Sequence, residues 1–255
     1  MKIHTNLQTV FLRRVVSVGL LVATLAASGC ASGPSANPRD PLEPFNRGIY
    51  QFNDVVDRAV VKPVATVYRD VLPSPVRTGV SNFFNNLQDA WSAVNNALQL
   101  KGEAAGNSLV RFGVNTFLGF GGVLDIATEM QIDRNTKDFG HTLGYWGVGA
   151  GPYLVLPLLG PSTLRDTAAL TIDRGVGSFV ANIDDVATGN SLTILNLLDR
   201  RSRYLQASDM LDQVALDPYT FTRDAWLQRR QNSVYDGNPP DDAEPAPGAN
   251  ENLTQ

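Results

Sequence analysis

Cysteine and histidine are almost missing from this 255-residue sequence, which has one of the first and two of the second. A lone cysteine excludes an intramolecular disulfide and any zinc site built on paired cysteines. With so few histidines, a metal site would have to rest on carboxylates, and none is expected. There is no Walker motif and no G-x-S-x-G nucleophile elbow: Gly106-Asn107-Ser108 and Gly160-Pro161-Ser162 both lack the second glycine. The run Gly147-Val148-Gly149-Ala150-Gly151 is followed by Pro152, lacks dinucleotide spacing and follows no strand pattern. Charge is scarce too, at 18% of residues with a net of −4, which gives no electrostatic footprint for nucleic acid. Hydrophobic residues make up 43%, too many for a disordered chain, and the length suits one sizeable core or two small ones. Neither an enzyme nor a cofactor is expected.

What is present begins at the N-terminus. Lys2, Arg13 and Arg14 are the only charges ahead of an apolar run over residues 15–27. As a helix this run is roughly 20 Å long against a hydrocarbon core of about 30 Å, too short to span comfortably. A basic front and a small-residue rear are the marks of a secretory signal. The rear, Ala27-Ser28-Gly29-Cys30, resembles a bacterial lipobox, in which the cysteine sulfur takes a diacylglyceryl group. An ordinary signal, with Cys30 as a free thiol, is the alternative. Cleavage before Cys30 removes Lys2, Arg13 and Arg14 and shifts the formal charge from −4 to −7. Ala31 at the second mature position resembles a signal for delivery to the outer membrane. The chain then divides into a signal peptide (1–29), a lipidated tether (30–39), a folded domain (40–235) and a disordered acidic, proline-rich tail (236–255). Asp236, Asp241, Asp242, Glu244 and Glu251 place most of the mature acidity in that tail rather than on a binding face.

Helical periodicity dominates the domain. Phe45, Ile49, Phe52, Val56 and Ala59 or Val60 predict a helix ended by Pro63. Residues 76–100 predict an amphipathic helix of about 37 Å. Val80, Phe83, Phe84, Leu87, Trp91, Val94 and Leu98 lie on one face, opposite Asn82, Asn85, Asn86, Asp89, Asn95 and Asn96. Residues 191–214 repeat the pattern, and Asp217-Pro218 opens a last helix running towards Val234. Strand signals are sparse and no tandem repeat occurs, so the expected fold is all-α.

Two segments do not fit an ordinary soluble bundle. Residues 109–127 are strongly apolar, with Arg111 and Asp125 their only charges, and residues 142–164 carry no charge at all. The second is long enough to span a bilayer, but Gly144, Gly147, Gly149, Gly151 and Gly160 with Pro152, Pro157 and Pro161 disfavour a continuous helix. Irregular backbone lining a channel at membrane depth and a glycine-rich loop buried in a core both remain open. His141 reads as a hydrogen-bonded structural residue, and Thr163 or Ser162 as the cap of a helix near Leu164, with Asp166 completing a capping box. Arg200, Arg201 and Arg203 either meet phosphate headgroups or form a solvated helix face.

Four segments carry a family resemblance: residues 40–47 (DPLEPFNR), 111–122 (RFGVNTFLGFGG), 139–153 (FGHTLGYWGVGAGPY) continuing through Leu156-Pro157 to Asp166, and Asp217-Pro218-Tyr219. In this order they resemble the MlaA/VacJ family of outer-membrane lipoproteins. The resemblance implies a single membrane-seated helical domain, ring- or doughnut-like with a central channel, held beside a trimeric porin. It further implies that phospholipid is taken from the outer leaflet and given to a soluble periplasmic carrier. On that basis Cys30 is the lipid anchor. Gly119, Gly121, Gly122, Gly144, Gly147, Gly149, Gly151 and Tyr153 are expected at the channel wall or gate. Phe117 and Leu118 are expected at a porin or membrane contact, and Phe45 and Asn46 at the channel mouth. A packing role remains open for each. A porin scaffold without a channel and a phospholipase using Ser162 or His141 are the alternatives.

Overall fold

The first helix, α1 (Glu43–Val56), does not stop where its periodicity indicates. The chain is the computed structural model's over residues 37–240; the expectations for the signal segment, for Cys30 and for residues 241–255 fall outside these described residues. Pro63 is expected to end the first helix, yet the chain stays helical to Val71. Proline lacks an N–H, and its ring presses on the carbonyl four residues back. Here residues 57–61 widen into a π turn, with the Lys62 N–H donating to the Asp57 carbonyl, and α2 (Lys62–Val71) continues with Pro63 in its first turn.

Next come α3 (Ser74–Leu98) and α4 (Gly102–Phe117), packed along each other, and the short α5 (Ile126–Glu129) and α6 (Phe139–Tyr145). The all-α expectation needs one correction: Tyr153–Leu156 (β1) and Gly160–Thr163 (β2) form an antiparallel hairpin with Tyr153 opposite Thr163. Its outer edge is completed by side chains of α1 instead of a third strand. Asn46 Oδ1 accepts from the Val155 N–H at 2.9 Å and its Nδ2 donates to the Tyr153 carbonyl at 3.0 Å. Asn53 does the same for Leu158 N–H and the Leu156 carbonyl. No local sequence pattern announces such a strand.

Three helices follow: α7 (Leu164–Gly175), α8 (Val186–Val214) and α9 (Pro218–Val234). Side chains cap all three: Thr163 accepts from the Asp166 N–H, Asp185 from Thr188 and Asp217 from Tyr219. The Asp185 cap explains why α8 starts five residues before Ser191. Contacts between elements run from α1 through the π turn and α2 to α8, then by the 3₁₀ turn Val180–Asn182 to α7, β2, β1 and back to α1. Asp236, expected at the head of the tail, is tied to Lys101 and to Lys137, the latter at 2.6 Å.

The interior is polar. Twenty-one polar or charged side chains are buried among the described residues against ten apolar ones, the reverse of a water-soluble core. In α3 the amide face is the inner one: Asn86, Asp89, Ser92, Asn95 and Asn96 are buried, while Val76, Val94 and Leu98 are exposed. Val60, Val64, Val67 and Val71 make an exposed apolar stripe along the first two helices. Hydrogen bonds compensate the buried amides in part: Thr142 Oγ1 donates to Asn95 Oδ1 at 2.8 Å, Gln99 donates to Thr142, and Asn86 donates to Thr116, while the side-chain oxygens of Asn86, Asn96 and Gln99 are buried without a partner among the described residues. No helix among the described residues is long and apolar enough to cross a membrane.

Candidate functional site

Three polar centres organise the interior. The first joins the two charges of the apolar segment 109–127. The Arg111 side chain, in a residue 1% exposed, donates from Nη2 to both Asp125 oxygens at 2.8 and 3.0 Å and from Nε to Asp89 at 3.3 Å. Asn115 also holds Asp125, and Arg134 holds Asp89 at 3.0 Å. Burial pushes the Asp89 carboxyl above the ordinary carboxylate range despite these two arginines. The chain therefore leaves α4 in a tight turn fastened to α3. Gly122 shows why glycine is needed there: its φ is +95°, and a Cβ would lie 2.6–2.8 Å from the Asn86 side chain. Gly119 and Gly121 belong to the same turn. The turn lifts Phe117, which is 85% exposed, with Leu118 and Phe120 beside it.

The second centre holds the hairpin. Asp40 is buried between Asn46 Nδ2 at 2.8 Å, the Tyr219 hydroxyl at 2.5 Å and Arg223 at 3.2 Å. Tyr153, Val155 and Tyr219 make a small apolar cluster against it, with Tyr50 edge-on to Tyr219. Asn46 and Tyr153 are thus brought together, inside the fold, and Phe45 points the other way, 59% exposed.

The third centre is a cavity of about 310 Å³ between α6, the 147–151 loop, the start of α7 and α9. It gathers Gly144, Gly147, Gly149 and Gly151 with Arg39, Arg165 and Arg230; Gly119, Gly121, Gly122 and Tyr153 do not line it. Arg230 grips Asp138 through two nitrogens, each at 2.7 Å, and Asp166 at 2.9 Å. Asp138 caps α6 by accepting the His141 N–H, and the His141 side chain returns to the Asp138 N–H. Burial works to raise the Asp138 pKa, but the bonds from His141 and Arg230 outweigh it and hold it well below the ordinary range. Burial likewise pushes the His141 imidazole below its ordinary value, more than Asp138 raises it. His141 is thus a structural cap, as expected. Ser162 Oγ is engaged by the Thr163 carbonyl and the Thr167 hydroxyl.

The arginine trio of α8 resolves in part. Arg201 pairs with Asp57 at 2.8 Å beside a smaller cavity of about 210 Å³ between α1, the hairpin and α8, and Arg203 pairs with Asp199. Of the cavity arginines, Arg165 falls within the third family segment, while Arg39 and Arg230 stand beside Asp40 and Arg229 in polar sequence with no motif of their own.

Residues 38–233 match the MlaA lipoprotein family model. The intermembrane phospholipid transport system lipoprotein MlaA of Escherichia coli (strain K12) is 38% identical over 216 residues, 82% of this chain and 85% of that one. Its counterpart in Haemophilus influenzae is 32% identical over 228 residues, 85% of this chain and 89% of that one. A solved structure described as the structural basis for maintenance of bacterial outer membrane lipid asymmetry aligns with a TM-score of 0.68. It is 34% identical and covers 76% of this chain and 98% of its own. With the quoted segments in order, the helical fold shared and most of the domain matched, the chain belongs to the MlaA lipoprotein family.

Proposed function

We propose that this protein is an outer-membrane lipoprotein that withdraws mislocalised phospholipid from the outer leaflet and passes it to a soluble periplasmic carrier, so maintaining lipid asymmetry. The observation that carries the reading is the inverted polarity. An interior of amides and ion pairs suits a headgroup, and an apolar exterior suits hydrocarbon. Exposed side chains of this kind each forgo about 1.5–3 kcal/mol if they stay in water, a cost removed by lipid. The relatives named for phospholipid transport support it further.

In this reading Cys30 carries the anchor, and the closed circuit of contacts is a doughnut-like ring around a central channel. Two or more acyl chains, at ~0.8 kcal/mol per buried CH₂, make the anchoring stable. Gly144, Gly147, Gly149 and Gly151 form its wall or gate. Gly119, Gly121 and Gly122 shape the turn that presents Phe117 and Leu118 to a trimeric porin or to lipid, and Phe45 sits at the mouth over the Asn46 clamp. Moving lipid down an existing imbalance requires no covalent chemistry, so no enzymatic step is invoked.

Spin labels test the seating. In vesicles, labels on Val64→Cys and Val76→Cys are expected to collide several-fold more with oxygen, which concentrates in lipid, than with a water-soluble nickel complex. A label on Gly149→Cys, in the cavity, is expected to show the opposite order. Labels that are all equally open to the nickel complex would remove the membrane-seated reading.

A further inference from the structure

A groove of about 540 Å³ runs between residues 134–137 and α9 and shares no lining residue with the glycine-lined cavity. Its lining holds Arg134, Lys137 and Arg229 against one carboxylate, Asp236. That carboxylate is already taken: Lys137 binds it at 2.6 Å, and Lys101 binds it from outside the lining. Arg134 reaches Asp89 at 3.0 Å and Asp125 at 3.7 Å through Nη2 alone, and Arg229, exposed on α9, has no partner among the described residues. The backbone N–H groups of Arg134, Asn135 and Thr136 have none either. Asp236 is the first acid after α9. Gly237, at a φ of +88°, then turns the chain off the helix end at the edge of the groove, with its N–H on the Asn232 carbonyl at 2.8 Å. No lysine or arginine follows Arg230 in the sequence, whereas Asp241, Asp242, Glu244 and Glu251 do.

We infer that the acidic C-terminal segment of this chain docks in this groove, with Asp241, Asp242 and Glu244 bound by Arg229 and Arg134 beside the place already taken by Asp236. Charge and reach both favour this occupant. Asp241 lies five residues beyond Asp236 and can extend up to about 17 Å from it, at ~3.3–3.6 Å per residue. Arg229 lies seven residues before Asp236, roughly 10 Å away along the helix at ~1.5 Å per residue. A guanidinium fork matches both oxygens of a carboxylate, and charge-assisted bonds of this kind are about twice as strong as neutral ones. Exposed ion pairs are individually weak, but a short tether raises the effective concentration of the acids to the order of millimolar, and several pairs act together. Lys137 and Arg229 are each followed in sequence by a member of the pair Asp138–Arg230, which fastens α6 to α9. The docked segment therefore straps that junction from the groove side and braces a helix that also lines the glycine-lined cavity.

The test uses the full-length lipidated protein in detergent, with spin labels at Ala243→Cys, among the acids, and at Phe221→Cys, exposed on α9 and outside the groove lining. At low salt the distance between the labels is expected to have one narrow distribution, with the other residues as in the wild type. Arg229→Glu is expected to widen it at least twofold, and so is neutralising the segment with Asp241→Asn, Asp242→Asn and Glu244→Gln. About 1 M salt, where the screening length falls to about 3 Å, is expected to widen it to the same degree. Arg229→Glu combined with Asp241→Lys and Asp242→Lys restores opposite charges and is expected to narrow it again, which a merely structural effect of Arg229→Glu would not do. A distribution that is already broad at low salt overturns the assignment and leaves the groove open to an acidic segment of another protein. A narrow distribution that Arg229→Glu and salt do not change places the segment elsewhere and also overturns it. A charge-swapped protein as broad as Arg229→Glu alone overturns the pairing of these acids with Arg229.

Discussion

Arg111→Ala is expected to cost the protein most or all of its folded state. Arg111 is buried on α4 and neutralises two carboxylates, Asp125 from the turn and Asp89 from α3. Removing one partner of a buried ion pair costs about 3–5 kcal/mol when the other charge stays behind, and here two carboxylates are left to share Arg134 alone. That is a large share of the roughly 5–15 kcal/mol by which domains are stable. Lysine is a poor substitute: it cannot span Asp125, Asp89 and the Thr128 hydroxyl at once, as Arg111 does. Denaturant unfolding in detergent should therefore rank wild type above Arg111→Lys and Arg111→Ala last. Adding Asp125→Asn to Arg111→Ala should recover part of the loss, since it removes one stranded charge. An unchanged midpoint for Arg111→Ala would show that the network contributes nothing.

Neighbouring residues at the start of α1 are expected to behave in opposite ways. Asn46→Ala removes three buried hydrogen bonds at 2.8–3.0 Å, to Asp40, to the Tyr153 carbonyl and from the Val155 N–H. Each buried group left unpaired costs about 1–3 kcal/mol, so a loss of about 3 kcal/mol or more is expected, centred on the hairpin. Phe45→Ala removes an exposed ring and should leave stability within about 0.5 kcal/mol. Its effect is expected in lipid passage instead, if Phe45 stands at the mouth. Thermal unfolding of the two variants side by side separates them, and equal destabilisation would contradict this division of labour.

Much of this architecture can be read from residue order. The helix over 76–100, the Asp217 cap, the Thr163–Asp166 cap and the structural role of His141 follow from periodicity and short-range chemistry, which act within a few residues. What periodicity does not carry is the direction of polarity. The stripe of Asn86, Asp89, Asn95 and Asn96 is plain in the sequence, but an amphipathic helix looks the same whether its polar face meets water or the interior. The hairpin is illegible for another reason: its edge is completed by Asn46 and Asn53, more than a hundred residues away. Arg111 and Asp125 stand out as lone charges in an apolar run, yet their pairing depends on a turn whose shape is set by Gly122 against Asn86. The glycines of 144–151 are conspicuous, while Arg39, Arg165 and Arg230 come from three distant places and meet only in the folded chain. Long-range contacts of this kind leave no local mark, and they are the ones that build the cavity.

Lipid passage through the interior is tested most directly by the amount of phospholipid in the outer leaflet of whole cells. Gly149 is the position to alter, because it lines the cavity and a Cβ there meets nothing within 4 Å, so a large side chain is accommodated without strain. Cells lacking the protein are expected to accumulate outer-leaflet phospholipid, the wild type to clear it, and Gly149→Trp, present at wild-type level and equally stable, to leave most of it uncleared. Clearance by Gly149→Trp equal to the wild type, or no accumulation in cells lacking the protein, would contradict the account.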